Sequence, residues 1–425
     1  MAGIYEEHLN EACFLWWRWE GALRSERHDM RAVVALEGRL LAHLDGLVVG
    51  GEPVIQEFVK PVLEVPETRE HLSVAAFVWL AGSGQDAVSE VFQMWRSAPE
   101  GLESAYQRAL ELCGRPGLEK ALLAGAVDGD GEWNARVLEV LAFRGAIPND
   151  FWGPQLLNAD ARAQVAVLRA LRPPPGKLLE DVLRRLLAHE EPEIRLAAME
   201  AGLVAGSHAA WDACRQEVRR RGEALRGALV LLALCGDEKD VVGILPLLGE
   251  VAWREGALWA LGFSGRMLAA DSCLEMMRQP ARVARLAGEA FSSITGLALD
   301  GGYALATPDE DALPPLEEED LDADLVPKPE DGLPVPAPEA TARWWSQARK
   351  GFSTRGRWLR GQPANGGALL DVLEHGAMRR RRTHALELAL RSKGALHLQA
   401  RAFSDRQRRE LERIRSACVR LPVAL

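Results

Sequence analysis

The nearest thing to a metal site in this sequence is VDGDGEW, residues 127–133. There Asp128, Asp130, Glu132 and Glu139 fall at positions 1, 3, 5 and 12 of a calcium loop. Such a loop gathers oxygen ligands around a hard cation and turns sharply at a glycine in position 6. Here position 6 is Trp133, and Glu139 belongs to a helical segment, so the stretch reads as an exposed turn between repeats. AGSGQDA, 81–87, has two glycines of a dinucleotide loop, but it lacks the third and follows a helical pattern rather than a strand. The nine histidines are dispersed; His375 and His384 flank an arginine run with no carboxylate or cysteine at ligand spacing. Cys13, Cys113, Cys214, Cys235, Cys273 and Cys418 form no C-x-x-C pair and read as buried free thiols in a reducing compartment. There is no G-x-S-x-G, P-loop or H-E-x-x-H. The sequence therefore points to no enzyme, cofactor or metal.

The other candidates lie in the tail, 341–425, with 19 Lys+Arg against 6 Asp+Glu. Trp344, Trp345 and Trp358 are interleaved with arginines that include Arg357 and Arg360, and Arg379, Arg380, Arg381 and Arg382 run consecutively. Three readings stand side by side. The arginines cover a solvated helix end while the tryptophans fill a core. The tail docks the acidic segment of the same chain. Or these nine residues bind an acidic protein or nucleic acid.

The elements that must position them are helical. Ala, Leu, Glu and Arg dominate, apolar residues make up 48% and there are only 3 tyrosines, a bias toward helix over sheet. EEPEIRLAAMEAGLVAG, 190–206, ends at Gly206, and similar segments end at Gly236, Gly265 and Gly296, spaced 30, 29 and 31 residues apart. A near-constant period of this length marks stacked repeats. Each copy carries two consecutive small residues nine and eight positions before its glycine: Ala197–Ala198, Gly227–Ala228, Gly256–Ala257 and Ala287–Gly288. These let a neighbouring helix approach. Arg195, Arg226, Arg254 and Arg285 precede the small pairs and should ladder onto acids or carbonyls of adjacent turns. Upstream amphipathic helices are predicted at 177–189, 208–220, 239–249 (kinked by Pro246) and 267–278. Weaker copies end at Gly82 and Gly145.

The fold predicted is all-α: an α-solenoid of helical hairpins over 51–298, capped by helices in 1–50. An acidic, proline-rich linker follows over 299–340, then a basic helical region over 341–425. Residues 308–340 hold twelve acids, one lysine and eight prolines and should be mostly disordered. Trp16, Trp17 and Trp19 cannot share one helix face, so at least one is expected at the surface or against another element. The start, MAGIYEEHLN, is acidic where a secretory signal is basic, and no apolar run spans a bilayer. A cytoplasmic protein off the membrane is expected.

Glu193, Ile194, Arg195, Ala198, Ala201 and Gly206 resemble the second helix of HEAT repeats of the phycobilisome-lyase-like type. ALEGRLLAHLDGL, FSSITGL, the acidic linker, the WW pair and GRWLRGQP with its basic helix extend a resemblance over nearly the whole chain. They are similar to an uncharacterised proteobacterial HEAT-repeat family abundant in myxobacteria. That resemblance implies a scaffold or adaptor for a protein partner, an effector or component of a type VI secretion system, in a loading or immunity role. Nucleic-acid binding, as in HEAT-like DNA glycosylases, is disfavoured by the net −12 of residues 1–307. A tetrapyrrole-lyase-like activity is suggested by repeat type alone.

Overall fold

The computed structural model describes residues 2–82, 84, 86–127, 131–148, 160–170, 176–306, 328 and 330–418. Asp128 and Asp130 of the calcium-like stretch, Ser83 and Gln85 of the glycine-rich stretch, and most of the acidic linker lie outside them.

Among the described residues the chain is all-α, with one two-residue hairpin, β1 (Trp358–Leu359) and β2 (Gln362–Pro363), and one isolated bridge. The helices are α1 (Ala2–Ala22), α2 (Met30–Val49), α3 (Gly51–Val54), α4 (Lys60–Glu64), α5 (Arg69–Ala81), α6 (Ala87–Arg96), α7 (Glu103–Leu112), α8 (Leu118–Val127), α9 (Gly131–Arg144), α10 (Ala161–Ala170), α11 (Gly176–Leu187) and α12 (Pro192–Val204). Then come α13 (His208–Arg220), α14 (Leu225–Cys235), α15 (Glu238–Ile244), α16 (Val251–Ser264), α17 (Met267–Met276), α18 (Ala281–Thr295), α19 (Pro338–Ala348), α20 (Gly366–His375), α21 (Met378–Arg391) and α22 (Ser404–Cys418). No helix among the described residues is long and apolar enough to cross a membrane.

The chain divides into two compact units. The first comprises Met1–Arg24, His28–Ala210 and Ser392–Ile414; the second comprises Ser25–Arg27, Trp211–Arg391 and Arg415–Leu425. The basic tail thus contributes to both.

In the first unit α1 packs on α2 and α5, and α5, α7, α9, α10 and α12 pack successively side by side. Their contact residues are small or branched and fully buried: Val74, Ala75 and Ala76 in α5, Ala135 and Leu138 in α9, Ala197 and Ala198 in α12. Each buried Val or Leu contributes about 1.5–3 kcal/mol relative to exposure. Local chemistry sets the helix starts. The Asp29 side chain accepts from the Ala32 amide and Thr68 from His71, satisfying orphan donors of the first turn, while Pro192 occupies the first turn of α12, where its missing N–H is harmless.

In the second unit α14, α16 and α18 pack in the same succession, with α17 against α18. Asp237 and Asp240 close a capping box on α15, and the α-helix gives way to a 3-10 turn at Leu245, next to Pro246. That is the interruption expected from a proline that cannot donate to the ladder. The small pairs are interior, with Ala228, Ala257 and Ala287 fully buried.

The closing glycines differ in conformation: Gly206, Gly265 and Gly296 are left-handed, whereas Gly236 has φ −68° and ψ 158°. Against expectation, the flanks of the acidic stretch are packed. Leu305 N–H donates to the Val335 carbonyl and Ala337 N–H to that of Tyr303, both at 2.8 Å, and Leu333 is buried. Prolines at 334 and 336 leave this extended backbone its other donors, so proline density did not preclude order there.

Candidate interaction surfaces

The nine tail residues belong to the second unit, and the structure gives most of them interior work. An α-helix ends in carbonyls without intrahelical partners, at the negative end of its dipole. Arg357 answers this at α16. Its Nε donates to the Ser264 carbonyl and Nη2 to that of Phe263, both at 2.9 Å, while Nη1 donates to Glu387 at 2.9 Å. The backbone beside it continues the pattern: Trp358 N–H donates to the Gly265 carbonyl at 2.8 Å, and Arg360 and Gly361 N–H donate to Ser293 and Ile294 at the end of α18. Arg391 adds a bond to the Leu234 carbonyl at the end of α14.

Trp345 is buried, donating its indole N–H to Asp271 at 2.8 Å, and Trp344 stacks on it at 6.0 Å. Burial pushes the Asp271 carboxyl up, but bonds from Arg349 and Trp345 outweigh it and hold the group below the usual carboxylate range. The Trp358 ring lies against Phe352. The arginine run is not a solvated helix end. Arg380 and Arg381 are 5% and 1% exposed, and burial lowers each guanidinium to about 10. Arg380 lies 3.8 Å over the Phe263 ring, and Arg379 stands 4.9 Å over Trp259 and 3.3 Å from Glu289. In α21 positions 380 and 381 turn inward, so two of four consecutive residues must be buried. Of the nine, Arg360 and Arg382 are exposed.

The acidic segment does not pair with this run through its described residues. Glu330 bonds to Arg282 at 2.7 Å and Asp331 approaches Arg285 at 3.9 Å, both on α18. Of the other repeat arginines, Arg195 donates to the His189 and Glu190 carbonyls and Arg254 to that of Leu248, while the Arg226 stem lies under Gly256.

Buried charge in the second unit centres on Glu387, which accepts from Arg357 and Arg391 (2.8 Å) and meets the His384 ring at 3.4 Å. Burial alone would raise its pKa; Arg357 and His384 hold it low. Burial also pushes the Cys235 and Cys273 thiols up to about 12, which makes neither a ready nucleophile.

The first unit repeats the capping scheme with arginines that the sequence reading passed over. Arg115 donates to the Leu80, Gly82 and Gly84 carbonyls after α5. Arg144 donates to Leu110 and Cys113 after α7, and Arg406 to Phe143 at the end of α9. Arg115 and Arg144 stand 29 residues apart, one repeat period, which is the signal the sequence carries for them; Arg406 has no such spacing. Two carboxylates are buried with partners. Glu37 accepts from the Trp19 indole (3.1 Å) and from the Ser404 amide and hydroxyl (2.8 and 2.6 Å) at the start of α22. Glu111 accepts from Arg108 at 3.0 Å; Arg108 also bonds Glu20 and the Arg401 carbonyl. Among the described residues no group of three or more His, Cys, Asp or Glu is placed to hold a metal, and Glu139 is bound by Arg162 at 2.6 and 2.7 Å.

The surface itself is distinguished at α1. Trp16 and Trp19 are buried, whereas Trp17 is 61% exposed, Phe14 49% and Ile4 56%. Phe14 and Trp17 are the exposed aromatics of the described chain. They sit one helical turn apart with centroids 6.3 Å from each other, and the Arg18 guanidinium stands 5.8 Å from the Phe14 ring. Trp and Arg are enriched among the residues that carry binding energy at interfaces, so this face, rather than the tail, is the docking candidate. Comparison with family models, with curated proteins and with solved structures returned no match.

Proposed function

We propose that the protein is a non-enzymatic α-solenoid of HEAT-like hairpins, a scaffold that docks a protein partner on the exposed face of α1. The observation that carries this reading is the pairing of Phe14 and Trp17 in solvent beside Arg18, on a helix whose opposite side is anchored by Trp16 and Trp19. Exposed aromatics of this size forgo burial worth a few kcal/mol unless something covers them. The successive packing of α5 to α12 and of α14 to α18 at a period near 30 supports the solenoid. Arg357, Arg391 and Arg406 of the tail are engaged with helix ends and Arg379 with Glu289, which takes part of the tail's charge out of reach of nucleic acid. The family resemblance puts secretion-system components first among candidates.

The test is site-specific photocrosslinking from position 10, on the same face, in native lysate. A discrete protein adduct that Trp17→Ala abolishes supports the proposal. Crosslinking with no discrete protein adduct sinks it.

A further inference from the structure

No three His, Cys, Asp or Glu side chains of the described residues are grouped to hold a metal, but one pair of histidines converges. His8 of α1 and His43 of α2 lie 35 residues apart in sequence, and their Nδ1 atoms stand 3.0 Å apart. The rings meet edge to face, with 5.0 Å between centroids and 66° between planes. Both are half-buried, and among the described residues each has the other as its hydrogen-bond partner.

The register of the two packed helices makes this pair. Gly46 lies three residues beyond His43 on α2, and a Cβ there would stand 3.3 Å from both Cε1 and Nε2 of His8. The Nε2 edge of His8 therefore rests on the α2 backbone, and Nδ1 is the nitrogen turned to His43. Burial, then His8 and Arg39, hold His43 below the ordinary imidazole value against the pull of Glu11 and Glu7. At neutral pH it is an uncharged ligand rather than a cation.

Two imidazole nitrogens at this distance can share a hydrogen, one donating and one accepting. They can also offer both lone pairs to one cation. Nitrogen ligands lie about 2.0–2.1 Å from a transition metal, which sets two of them about 2.9 Å apart at a right angle and about 3.3 Å apart at the tetrahedral angle. The observed 3.0 Å falls between these separations. The exchange releases no proton: the donor ring moves its hydrogen from Nδ1 to Nε2, and the acceptor ring already carries it there. The rings must turn to aim at one ion, and their half-exposed setting leaves its other positions to water.

We infer that His8 and His43 together chelate a divalent transition metal of the kind that takes imidazole ligands (zinc, nickel or copper) and that the ion clips α1 to α2. The inference does not depend on what α1 docks.

Titration calorimetry of the full chain with Zn2+ and with Ni2+ should show one site. His8→Ala and His43→Ala should each weaken it at least tenfold, and His208→Ala, at an exposed position of α13, should leave it unchanged. Magnesium and calcium, which prefer oxygen ligands, should not compete. Lowering the pH to about 5.5, one unit below the ordinary imidazole pKa of about 6.5, should weaken binding at least tenfold. The unsubstituted chain gives a separate reading: Zn2+ should slow carbethoxylation of His8 and His43 at least tenfold, followed by mass spectrometry, and leave that of His208 unaltered. Absence of both heat and protection at millimolar ion, binding that survives both substitutions, or displacement by magnesium overturns the inference.

Discussion

The amide of Trp358 donates to the carbonyl of Gly265 at 2.8 Å, and a Cβ added to Gly265 would stand 2.6 Å from the Trp358 carbonyl oxygen. Gly265 has φ +64°, so glycine is needed twice over: for the left-handed turn that ends α16 and for the close approach of the tail. Gly206 has φ +78° with nothing within 4 Å of a Cβ. Gly206→Ala should therefore cost only the left-handed penalty, about 1–2 kcal/mol, and Gly265→Ala that penalty plus the displacement of Trp358. Chemical denaturation of the two variants checks the order, and amide exchange at Trp358 should speed up only for Gly265→Ala. Equal losses with Trp358 still protected would mean the tail does not press on the turn.

Arg357 serves two carbonyls and Glu387 in three directions, which only a planar guanidinium fork can match. Arg357→Ala should destabilise by about 3–5 kcal/mol, as when a buried ion pair loses one partner, and Arg357→Lys should recover less than half. Arg382→Ala, at an exposed position of the neighbouring helix, should stay within about 0.5 kcal/mol. Urea titrations of the three variants suffice, and full rescue by lysine would show that charge alone matters at this site.

Arg108 and Glu111 are both buried, at 3% and 7% exposure. Removing only the cation, as Arg108→Met, takes from buried Glu111 its nearest cation, leaving Gln107 at 3.4 Å and Arg401 at 4.0 Å, and should cost about 3 kcal/mol. Adding Glu111→Leu to that variant should regain a large part. The readout is the coupling energy of a double-mutant cycle, and strict additivity of the two single losses would contradict a direct pair.

The elements were legible because they depend on local pattern. The glycine period, the paired small residues and Pro246 located the helices between residues 192 and 295 and the 3-10 interruption, and the impossibility of burying three near-adjacent tryptophans on one face anticipated the exposure of Trp17. The tail was not legible in the same way. Charge counted along the chain shows Arg379 to Arg382 as a cationic run, but whether a cation faces water depends on what lies across from it. Here Trp259, Phe263 and Glu289, about ninety residues or more away in sequence, receive Arg379 and Arg380. Arg357, Arg391 and Arg406 likewise meet carbonyls that exist as acceptors only because a distant helix ends there. The acids Glu330 and Asp331 found their cations on α18 rather than in the oppositely charged tail, although the tail begins only about ten residues further on in sequence. Composition registered that opposite charges would meet; it could not say which.

Glu37 offers a test through pH. Burial raises its pKa above the usual carboxylate range, although bonds from Ser404 and Trp19 and the charge of Arg408 oppose the rise. The folded state therefore holds this proton more tightly than the unfolded chain. The contribution is fully present below the unfolded pKa, about 4.3, and is lost as pH rises through the folded value. Glu37→Gln removes the titration and turns an amide donor toward either Ser404 or the Trp19 indole, which should itself cost about 1–3 kcal/mol. The stability gap between wild type and Glu37→Gln should then be widest near pH 4 and narrow toward neutrality. Ser404→Ala, which keeps the amide bond to Glu37 and loses only the hydroxyl, should cost about 1 kcal/mol and raise the Glu37 pKa further, extending the window upward. Urea midpoints of the three proteins between pH 4 and 8 decide the matter. A gap that widens toward neutral pH would mean that the Glu37 carboxylate is held as an anion by its three donors, against the burial that surrounds it.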